Sequence, residues 1–338
     1  MNLFRPLGFA VALSIVCSTG HPLWAQAPAT STEQLGAVSL PVPVLTRDAA
    51  GLVTIGGATA DQVVCYTLDG TDPISRSGPY LAPVDLSHGG KIKARIFTKD
   101  RKQSGEIAAE SYEPIVGLKP ISNSLVPVTQ DRSWPSYDWA KRHAEVSAAV
   151  QRQHPEVIFI GDSITHFFGG NAVWKQNYEP LNSVNLGFGW DRTENVLWRL
   201  EHGELDGASP KVAVVMIGTN NLEKNKDEEI ADGIKAICEE IHRRLPTTKI
   251  LLLGIFPRGQ KPGGSRDRIA HINETIAALD QHDGVTFLDF GAKFLNPDGT
   301  IEKSIMGDFL HPSPAGYQIW VEAMAPTLAK LLGTPAGH

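Results

Sequence analysis

The chain has 338 residues, of which 42% are hydrophobic and 20% charged, so it can bury a sizeable core and is long enough for two domains. Its formal net charge is −6 at pH 7. A negatively charged protein has no positive electrostatic potential that would attract phosphate groups. This argues against nucleic acid or an anionic membrane surface as a partner. A neutral or carbohydrate-like substrate fits the composition better.

The first 27 residues have the pattern of a secretory signal peptide. Arg5 precedes an apolar run over residues 7–17, and small residues stand at Ala25 and Ala27. The alternative is an uncleaved membrane anchor, but the run is shorter than the roughly 20 residues that a spanning helix needs. We therefore expect a signal peptide over residues 1–27 and a secreted or periplasmic protein.

Residues 38–116 predict a small all-β domain of immunoglobulin-like size. Residues 63–68 are rich in β-formers and run into Asp69-Gly70, and residues 91–97 alternate with period two. The sequence of residues 66–73 resembles the small β-sandwich at the end of chitobiase and β-hexosaminidase chains, which implies a contact with glycan. A simpler interpretation is a turn in which Asp69-Gly70 supplies the left-handed geometry, and we favour it. Residues 117–137 are predicted to be a linker.

Residues 138–334 predict an α/β domain, because apolar strands alternate with amphipathic helices. Continuous apolar strands of this kind indicate a parallel sheet covered by helices on both faces. The predicted strands are 157–160, 184–187, 212–217, 250–255 and 285–288, and the predicted helices are 139–153, 193–202, 228–245, 268–281 and one from 315 onward. Cys65 and Cys238 fall in different domains, so we expect two buried thiols and no disulfide.

Polar residues that suit acyl transfer follow the ends of these strands. Ser163 comes directly after the first strand, Asn220 follows the third, and Asp308 and His311 follow the last. In a parallel sheet the carboxyl ends of the strands share one edge, where ligands bind. A serine nucleophile needs an imidazole to take its proton, a carboxylate to orient that imidazole, and donors for the oxyanion. The sequence contains no phosphate-binding loop, dinucleotide fingerprint or zinc motif, so neither a cofactor nor a metal is expected.

Four blocks of the α/β region carry a family resemblance: 161–165 around Ser163, the glycine-rich 187–191, 218–221 with Asn220, and 308–311. Together they resemble the SGNH, or GDSL, hydrolases, and residues 185–189, 196–200 and 256–260 resemble the branch of the platelet-activating-factor acetylhydrolase catalytic subunits. The resemblance implies a three-layer, flavodoxin-like parallel sheet behind the small β-sandwich. It also implies that Ser163 is the nucleophile, His311 the general base and Asp308 its orienting partner.

The same resemblance implies an oxyanion hole made of the Ser163 amide, a backbone amide at Gly189 or Trp190, and the Asn220 side chain. Trp190 departs from the pattern, since the related acetylhydrolases have a glycine at this position. An indole that points inward would shorten the acyl site and favour acetyl esters. The alternative is that Trp190 packs outward in the core or at the rim.

Several neighbours of these residues have a structural interpretation. Asp162 is expected to fix the loop by hydrogen bonds. His166, about one helical turn after Ser163, could line the cleft, but a satisfied surface histidine is the favoured interpretation. Arg192, Trp198 and Arg199 are expected to serve packing and ion pairing on a helix.

The sequence as a whole favours a secreted esterase that removes acetyl groups from carbohydrates, its substrate being a small-molecule or polysaccharide ester. Export, a short acyl site and the β-module suggest this substrate by analogy. A lipid acetylhydrolase or lysophospholipase is the second hypothesis, and a non-catalytic glycan-binding protein is the third. No oligomeric state is predicted.

Overall fold

The computed structural model describes residues 39–130 and 137–333, so the predicted signal peptide lies outside the described residues. The N-terminal part is built from six short strands in two antiparallel, three-stranded sheets, with the orders β1-β2-β4 and β3-β5-β6. The strands are β1 Val44–Arg47, β2 Leu52–Gly56, β3 Gln62–Thr67, β4 Val84–Asp85, β5 Gly90–Thr98 and β6 Ser104–Tyr112. Inward-facing residues such as Val53, Ile92 and Ile96 form a core of their own. The predicted small β domain is confirmed.

The second part is a five-stranded parallel sheet with the order β11-β10-β9-β7-β8. Its strands are β7 Val157–Gly161, β8 Ser183–Gly187, β9 Val212–Met216, β10 Lys249–Leu253 and β11 Val285–Leu288. Its helices are α1 Trp139–Gln153, α2 Ser163–Gly169, α3 Ala172–Asn177, α4 Thr193–Arg199, α5 Asp227–Arg244, α6 Gly264–Ala277 and α7 Pro314–Leu332.

Helices cover both faces of this sheet, so the predicted three-layer α/β fold is confirmed. Successive residues of β7 point to opposite faces: Ile158 and Ile160 join one core with α1, α4, α5 and α6, while Phe159 joins the other with α2, α3 and α7. All five residues of β7 are buried. Burial on both faces explains the unbroken apolar runs in the sequence.

Two helices were not predicted, and one is shorter than predicted. Both α2 and α3 are short and follow β7 closely, where the sequence suggested only a loop. The predicted helix 193–202 ends at Arg199 as α4, and a wide turn follows at Leu200–Glu204, within which Gly203 has a φ of +94°. That left-handed geometry stops a helix.

Residues 123–130 of the predicted linker contact both domains. Ser124 and Gln130 are fully buried, and a turn of 3₁₀ helix spans Asn123–Leu125. The Asp69 carboxylate of the β-module also lies 3.2 Å from the Lys224 ammonium, just beyond β9. The module and the α/β domain are therefore in direct contact.

Cys65 and Cys238 are both free and buried, as predicted. Within residues 39–130 and 137–333, no helix combines the length and the apolar character that crossing a membrane requires.

Candidate active site

Ser163 lies at the carboxyl end of β7, an inner strand of the sheet, as its position after an apolar run predicted. Strand β7 ends at Gly161, where a Cβ would come within 2.5 Å of the Met216 carbonyl oxygen, so only glycine permits this close approach to β9. The Asp162 carboxylate accepts a hydrogen bond from the Ile164 amide at 2.9 Å and caps α2. Ser163 is thus the first residue of a helix, and Asp162 has the structural role expected of it.

His311 and Asp308 are presented to Ser163 by a short loop before α7. The imidazole Nε2 of His311 lies 2.8 Å from Ser163 Oγ, and Nδ1 lies 2.6 Å from Asp308 Oδ2. Asp308 Oδ1 accepts hydrogen bonds from the amides of Leu310 at 3.0 Å and His311 at 2.8 Å. Phe309 between them has a φ of +60°. The loop is therefore closed by its own carboxylate, which leaves the other oxygen for the imidazole.

The electrostatics of this chain of three residues suit proton transfer. Partial burial acts to raise the pKa of Asp308, but hydrogen bonds from the His311 amide and imidazole lower it more, so the net shift is downward. The carboxylate is therefore ionised at neutral pH and accepts the Nδ1 proton. The Nε2 lone pair then faces Ser163, whose hydroxyl can donate to it.

The glycine-rich second block forms a tight turn beside Ser163. Strand β8 pairs with β7 up to Gly187 opposite Gly161, and the Phe188 amide donates to the Gly161 carbonyl at 3.0 Å. The Asp191 amide then donates to the Phe188 carbonyl at 3.3 Å, which closes a four-residue turn. Within it Trp190 has a φ of +61°, the left-handed region that glycine adopts freely and other residues rarely occupy. The backbone thus keeps a glycine-like shape although the residue is tryptophan.

Asp191 is fully buried and anchors the end of this turn. One carboxylate oxygen accepts hydrogen bonds from Gln130 Nε2 and Trp139 Nε1, both at 2.8 Å, and the other accepts from Arg199 Nε at 2.8 Å. Burial raises the pKa of Asp191 to about 6, against the opposing effect of Arg199. The side chains of Gln130, Trp139 and Arg199 all donate hydrogen bonds to the carboxylate, which suits the ionised form. Arg199 also pairs with the buried Glu204. The expected ion-pairing role of Arg199 is confirmed.

Asn220 connects the end of β9 to the same turn. Its Nδ2 donates to the Asp191 carbonyl at 3.0 Å, and the next residue, Asn221, accepts a hydrogen bond from the Thr193 amide at 3.0 Å. Because β8, β7 and β9 are neighbours, their carboxyl ends place the Trp190 turn, Ser163 and Asn220 side by side. The structure thus brings the predicted site residues to one edge of the sheet.

Aromatic rings pack on several residues of the site. The Trp190 indole, half-buried, has its ring centre 6.3 Å from that of Tyr137, which lies 5.6 Å from the His166 ring. Phe167, 47% exposed, packs on His311 with ring centres 4.9 Å apart. The indole therefore packs on Tyr137 and stays partly exposed, and an acyl site shortened by it stays a prediction.

His166 differs from the satisfied surface histidine that was expected. It is half-buried, its Nδ1 is buried and has no hydrogen-bond partner among the described residues, and burial lowers its pKa to about 4. A Cβ built on Gly189 would lie 3.8 Å from this nitrogen and 3.8 Å from the Tyr137 ring. His166 is therefore a neutral side chain that lines the cleft beside the second block.

Sequence reasoning missed three residues of the site, Gln130, Tyr137 and Trp139. They lie upstream of the first motif, in the predicted linker and at the start of α1. No local pattern indicates that their side chains reach Asp191 or His166. In the described ranges there is also no group of three His, Cys, Asp or Glu residues that could hold a metal ion.

Known proteins and protein families resemble parts of this chain. A GDSL-like lipase from Bacteroides thetaiotaomicron superposes with a TM-score of 0.49 at 19% identity, over 56% of this chain and 97% of that one. The model of the GDSL-like Lipase/Acylhydrolase family matches residues 159–319, and the Fn3 associated model matches residues 53–112.

Two curated relatives are more similar in sequence. Platelet-activating factor acetylhydrolase IB subunit alpha1 of Homo sapiens is 39% identical over 201 residues, which are 59% of this chain and 87% of that protein. Subunit alpha2 of Rattus norvegicus is 40% identical over 180 residues, 53% of this chain and 78% of that protein. The chain therefore belongs to the GDSL-like lipase/acylhydrolase family and is a hydrolase of ester bonds.

Proposed function

We propose that this protein is a secreted serine esterase that removes acetyl groups from carbohydrates by way of an acyl-enzyme on Ser163. The observation that carries the mechanism is the hydrogen-bonded chain from Ser163 Oγ through His311 to Asp308, with distances of 2.8 and 2.6 Å. Nucleophile, base and orienting carboxylate stand in the order that acyl transfer requires.

The reaction proceeds in two halves. Ser163 Oγ attacks the ester carbonyl carbon while its proton passes to Nε2 of His311, and the carbonyl oxygen becomes an oxyanion. The Ser163 amide, the Trp190 amide and the Asn220 side chain stabilise that charge. The intermediate then collapses, and the alcohol departs with the proton from His311. Water, deprotonated by His311, attacks the acyl group, and the acid leaves as Ser163 regains its proton.

The acyl group is short because aromatic side chains occupy the space beside the turn of residues 188–191, called the oxyanion turn below. Trp190 is half-buried against Tyr137, and Tyr137 packs on His166, one helical turn after Ser163. A rigid wall of this kind leaves room for an acetyl group and excludes a long alkyl chain. The acetylhydrolase subunits that the chain resembles bear the same acyl group in their name.

A carbohydrate leaving group is supported by a groove lined in part by Phe167, whose ring packs on His311. The groove has a volume of about 500 Å³ and is lined by Arg142, Asn171 and Asn185 together with His166 and Phe167. Polar side chains around one exposed aromatic ring suit a hydroxyl-rich ring better than an alkyl chain. The β-module resembles a domain of glycan-degrading enzymes, which also favours a carbohydrate substrate.

The second candidate substrate is an acetylated phospholipid. It is favoured by the identity of 39% to a platelet-activating factor acetylhydrolase subunit. Both candidates share the acetyl group and the same chemistry at Ser163, and they differ only in the alcohol that leaves.

The deciding experiment measures acetate release by the purified protein from acetylated xylo-oligosaccharides and from an acetylated alkyl phosphocholine at matched concentrations. We expect kcat/KM to be higher for the oligosaccharide, and a higher value for the lipid would establish the second candidate. Absence of turnover on both substrates and on p-nitrophenyl acetate would show that the protein only binds its ligand.

Secretion is tested by expressing the full chain with a C-terminal tag and finding whether residues 1–27 are removed.

The acyl range is tested with p-nitrophenyl esters of increasing length. We expect a strong preference for acetyl over decanoyl, and Trp190→Gly should widen the range because it removes the indole from the wall. Phe167→Ala is the matched control, since Phe167 lies on the leaving-group side and should leave the acetyl-to-decanoyl ratio unchanged. Comparable wild-type rates on both esters would refute the short acyl site.

A further inference from the structure

The peptide group between Gly189 and Trp190 is held from its carbonyl side by a buried side chain. Gln130 Nε2 donates to the Gly189 carbonyl oxygen at 2.5 Å, and the same nitrogen donates to Asp191 Oδ1 at 2.8 Å. The C=O and N–H of a trans peptide point in opposite directions. A donor fixed on the Gly189 oxygen therefore directs the Trp190 N–H away from Gln130.

This peptide group is the centre of a turn that has two alternative forms. The turn runs from Phe188 to Asp191, and φ is positive at its third residue, Trp190, but not at its second, Gly189. That pattern belongs to a type II turn, which favours glycine at the third residue. A type I turn with the same ends needs no positive φ, and its central peptide is flipped, so its N–H points to the other side. With tryptophan in place of glycine, local preference favours the flipped form.

Contacts from three parts of the chain hold Gln130 in place. The amide of Thr129 donates to the Tyr66 hydroxyl at 3.2 Å, and its side chain donates to the Pro79 carbonyl at 2.7 Å, so the β-module fixes this segment on one side. On the other side, Asn195 Nδ2 of α4 donates to the Val128 carbonyl at 3.1 Å. Gln130 itself is only 1% exposed. Its amide is therefore pre-oriented before any substrate arrives.

We propose that Gln130 is a positioning residue that holds the Gly189–Trp190 peptide in the orientation that presents the Trp190 N–H to the oxyanion. The inference rests on the proposed function, since it assigns the second oxyanion donor to Trp190 rather than to Gly189. It also gives the β-module and residues 128–130 a role in catalysis, because the hydrogen bonds of Val128 and Thr129 anchor Gln130. A strained turn persists only where contacts with its surroundings hold it in place, and the hydrogen bond from Gln130 to the Gly189 carbonyl is such a contact.

The test is the variant Gln130→Met, which keeps the length of the side chain and removes its donor. We expect kcat on p-nitrophenyl acetate to fall about 10- to 100-fold, with KM within about twofold of the wild type. Complete loss of one oxyanion donor costs on the order of 100–1,000-fold. The expected loss is smaller because the Trp190 N–H still faces the oxyanion in the fraction of molecules whose turn is not flipped. Ser124→Ala is the matched control. Ser124 is buried in the same segment, but its hydroxyl donates to the Glu229 carbonyl at 2.7 Å, away from the turn, so kcat should not change.

The second arm combines Gln130→Met with Trp190→Gly. Glycine adopts the type II turn without strain, so the turn of the double variant should no longer need Gln130. The proposal therefore predicts that kcat of the double variant lies within about threefold of kcat of the single variant Trp190→Gly. A side chain that merely supports the fold would give additive losses in this cycle. Should Gln130→Met fail to fold, Gln130→Asn, which keeps the amide but shortens its reach, is measured in both backgrounds with the same expectations.

Equal kcat values for wild type and Gln130→Met, or no rescue by Trp190→Gly, would overturn the proposal. Neither result would contradict the proposed esterase activity. That activity is tested separately, by turnover of the wild type and by the loss of turnover in Ser163→Ala.

Discussion

The two halves of the site are held in place by different means. The loops that carry Ser163 and His311 are closed by their own carboxylates: Asp162 bonds the amide two residues ahead, and Asp308 bonds the amide three residues ahead. The oxyanion turn is held mainly from a distance, since, among the described residues, three of the four side-chain donors to Asp191 are 61, 52 and 29 positions away and only Arg199 is close, at 8 positions. Reactive side chains are thus placed by local hydrogen bonds, and the oxyanion donors by the packing of separate elements.

The two halves also differ in their exposure to solvent. The Asp308 side chain is 57% exposed and the His311 side chain 23%, whereas the side chains of Asp191 and Arg199 are completely buried. An exposed ion pair adds little to stability, whereas breaking a buried one leaves an uncompensated charge. Variants of the triad should therefore change the rate alone, and variants around the turn should change both the rate and the stability.

The largest effect is expected for Ser163→Ala, which removes the nucleophile. The value of kcat should fall by about a millionfold, as in other enzymes of this mechanism, with the melting temperature nearly unchanged. Ester hydrolysis and differential scanning fluorimetry on the same sample measure the two quantities. Ser304→Ala, an exposed serine that bonds Glu302, is the control and should keep full activity. Activity above one hundredth of the wild type in Ser163→Ala would contradict the assignment.

Asp308→Asn should have the next largest effect. The amide oxygen can still accept from the backbone of Leu310 and His311, so the loop stays closed, but the imidazole loses the partner that fixes its tautomer. We expect kcat to fall about 1,000- to 10,000-fold, nearer the lower figure because water reaches the carboxylate. Stability should stay within about 0.5 kcal/mol of the wild type, as for other exposed positions. A loss below tenfold would mean that Asp308 has no part in orienting His311.

Asn220→Ala should cost about 100- to 1,000-fold in kcat, the usual effect of one oxyanion donor. It also removes the hydrogen bond to the Asp191 carbonyl, so, unlike the triad variants, it should lower the melting temperature. Steady-state kinetics and thermal unfolding test both parts. A loss of activity with an unchanged melting temperature would show that Asn220 does not stabilise the turn. An unchanged kcat would show that Asn220 does not stabilise the oxyanion.

The smallest effect is expected for His166→Gln, measured as the pH dependence of kcat/KM. Burial holds the pKa of His166 at about 4, so this residue stays neutral above roughly pH 5. Protonation of His166 should therefore contribute nothing to the loss of activity as the pH falls towards 5. The acid limb should have the same midpoint in His166→Gln and wild type. A displaced limb would show that His166 takes part in the proton transfer.

The sequence by itself determined the parts of this protein that depend on contiguous residues. Apolar strands flanked by amphipathic helices predicted the parallel sheet, and alternation with turn residues predicted the β-module, because each pattern follows from the burial of one element. The placement of Ser163, Asn220, Asp308 and His311 after strands followed from the same rule. The helices α2 and α3 escaped prediction because they are too short for a clear period.

Only the tertiary structure decided how the oxyanion turn is held. The hydrogen bonds from Gln130 to Gly189 and Asp191, and the packing of Tyr137 between Trp190 and His166, join elements that no local pattern connects. The glycine-like φ at Trp190 is likewise the opposite of what its own side chain favours. Such geometry arises because many long-range contacts together outweigh one local preference, and that balance exists only once the chain has folded.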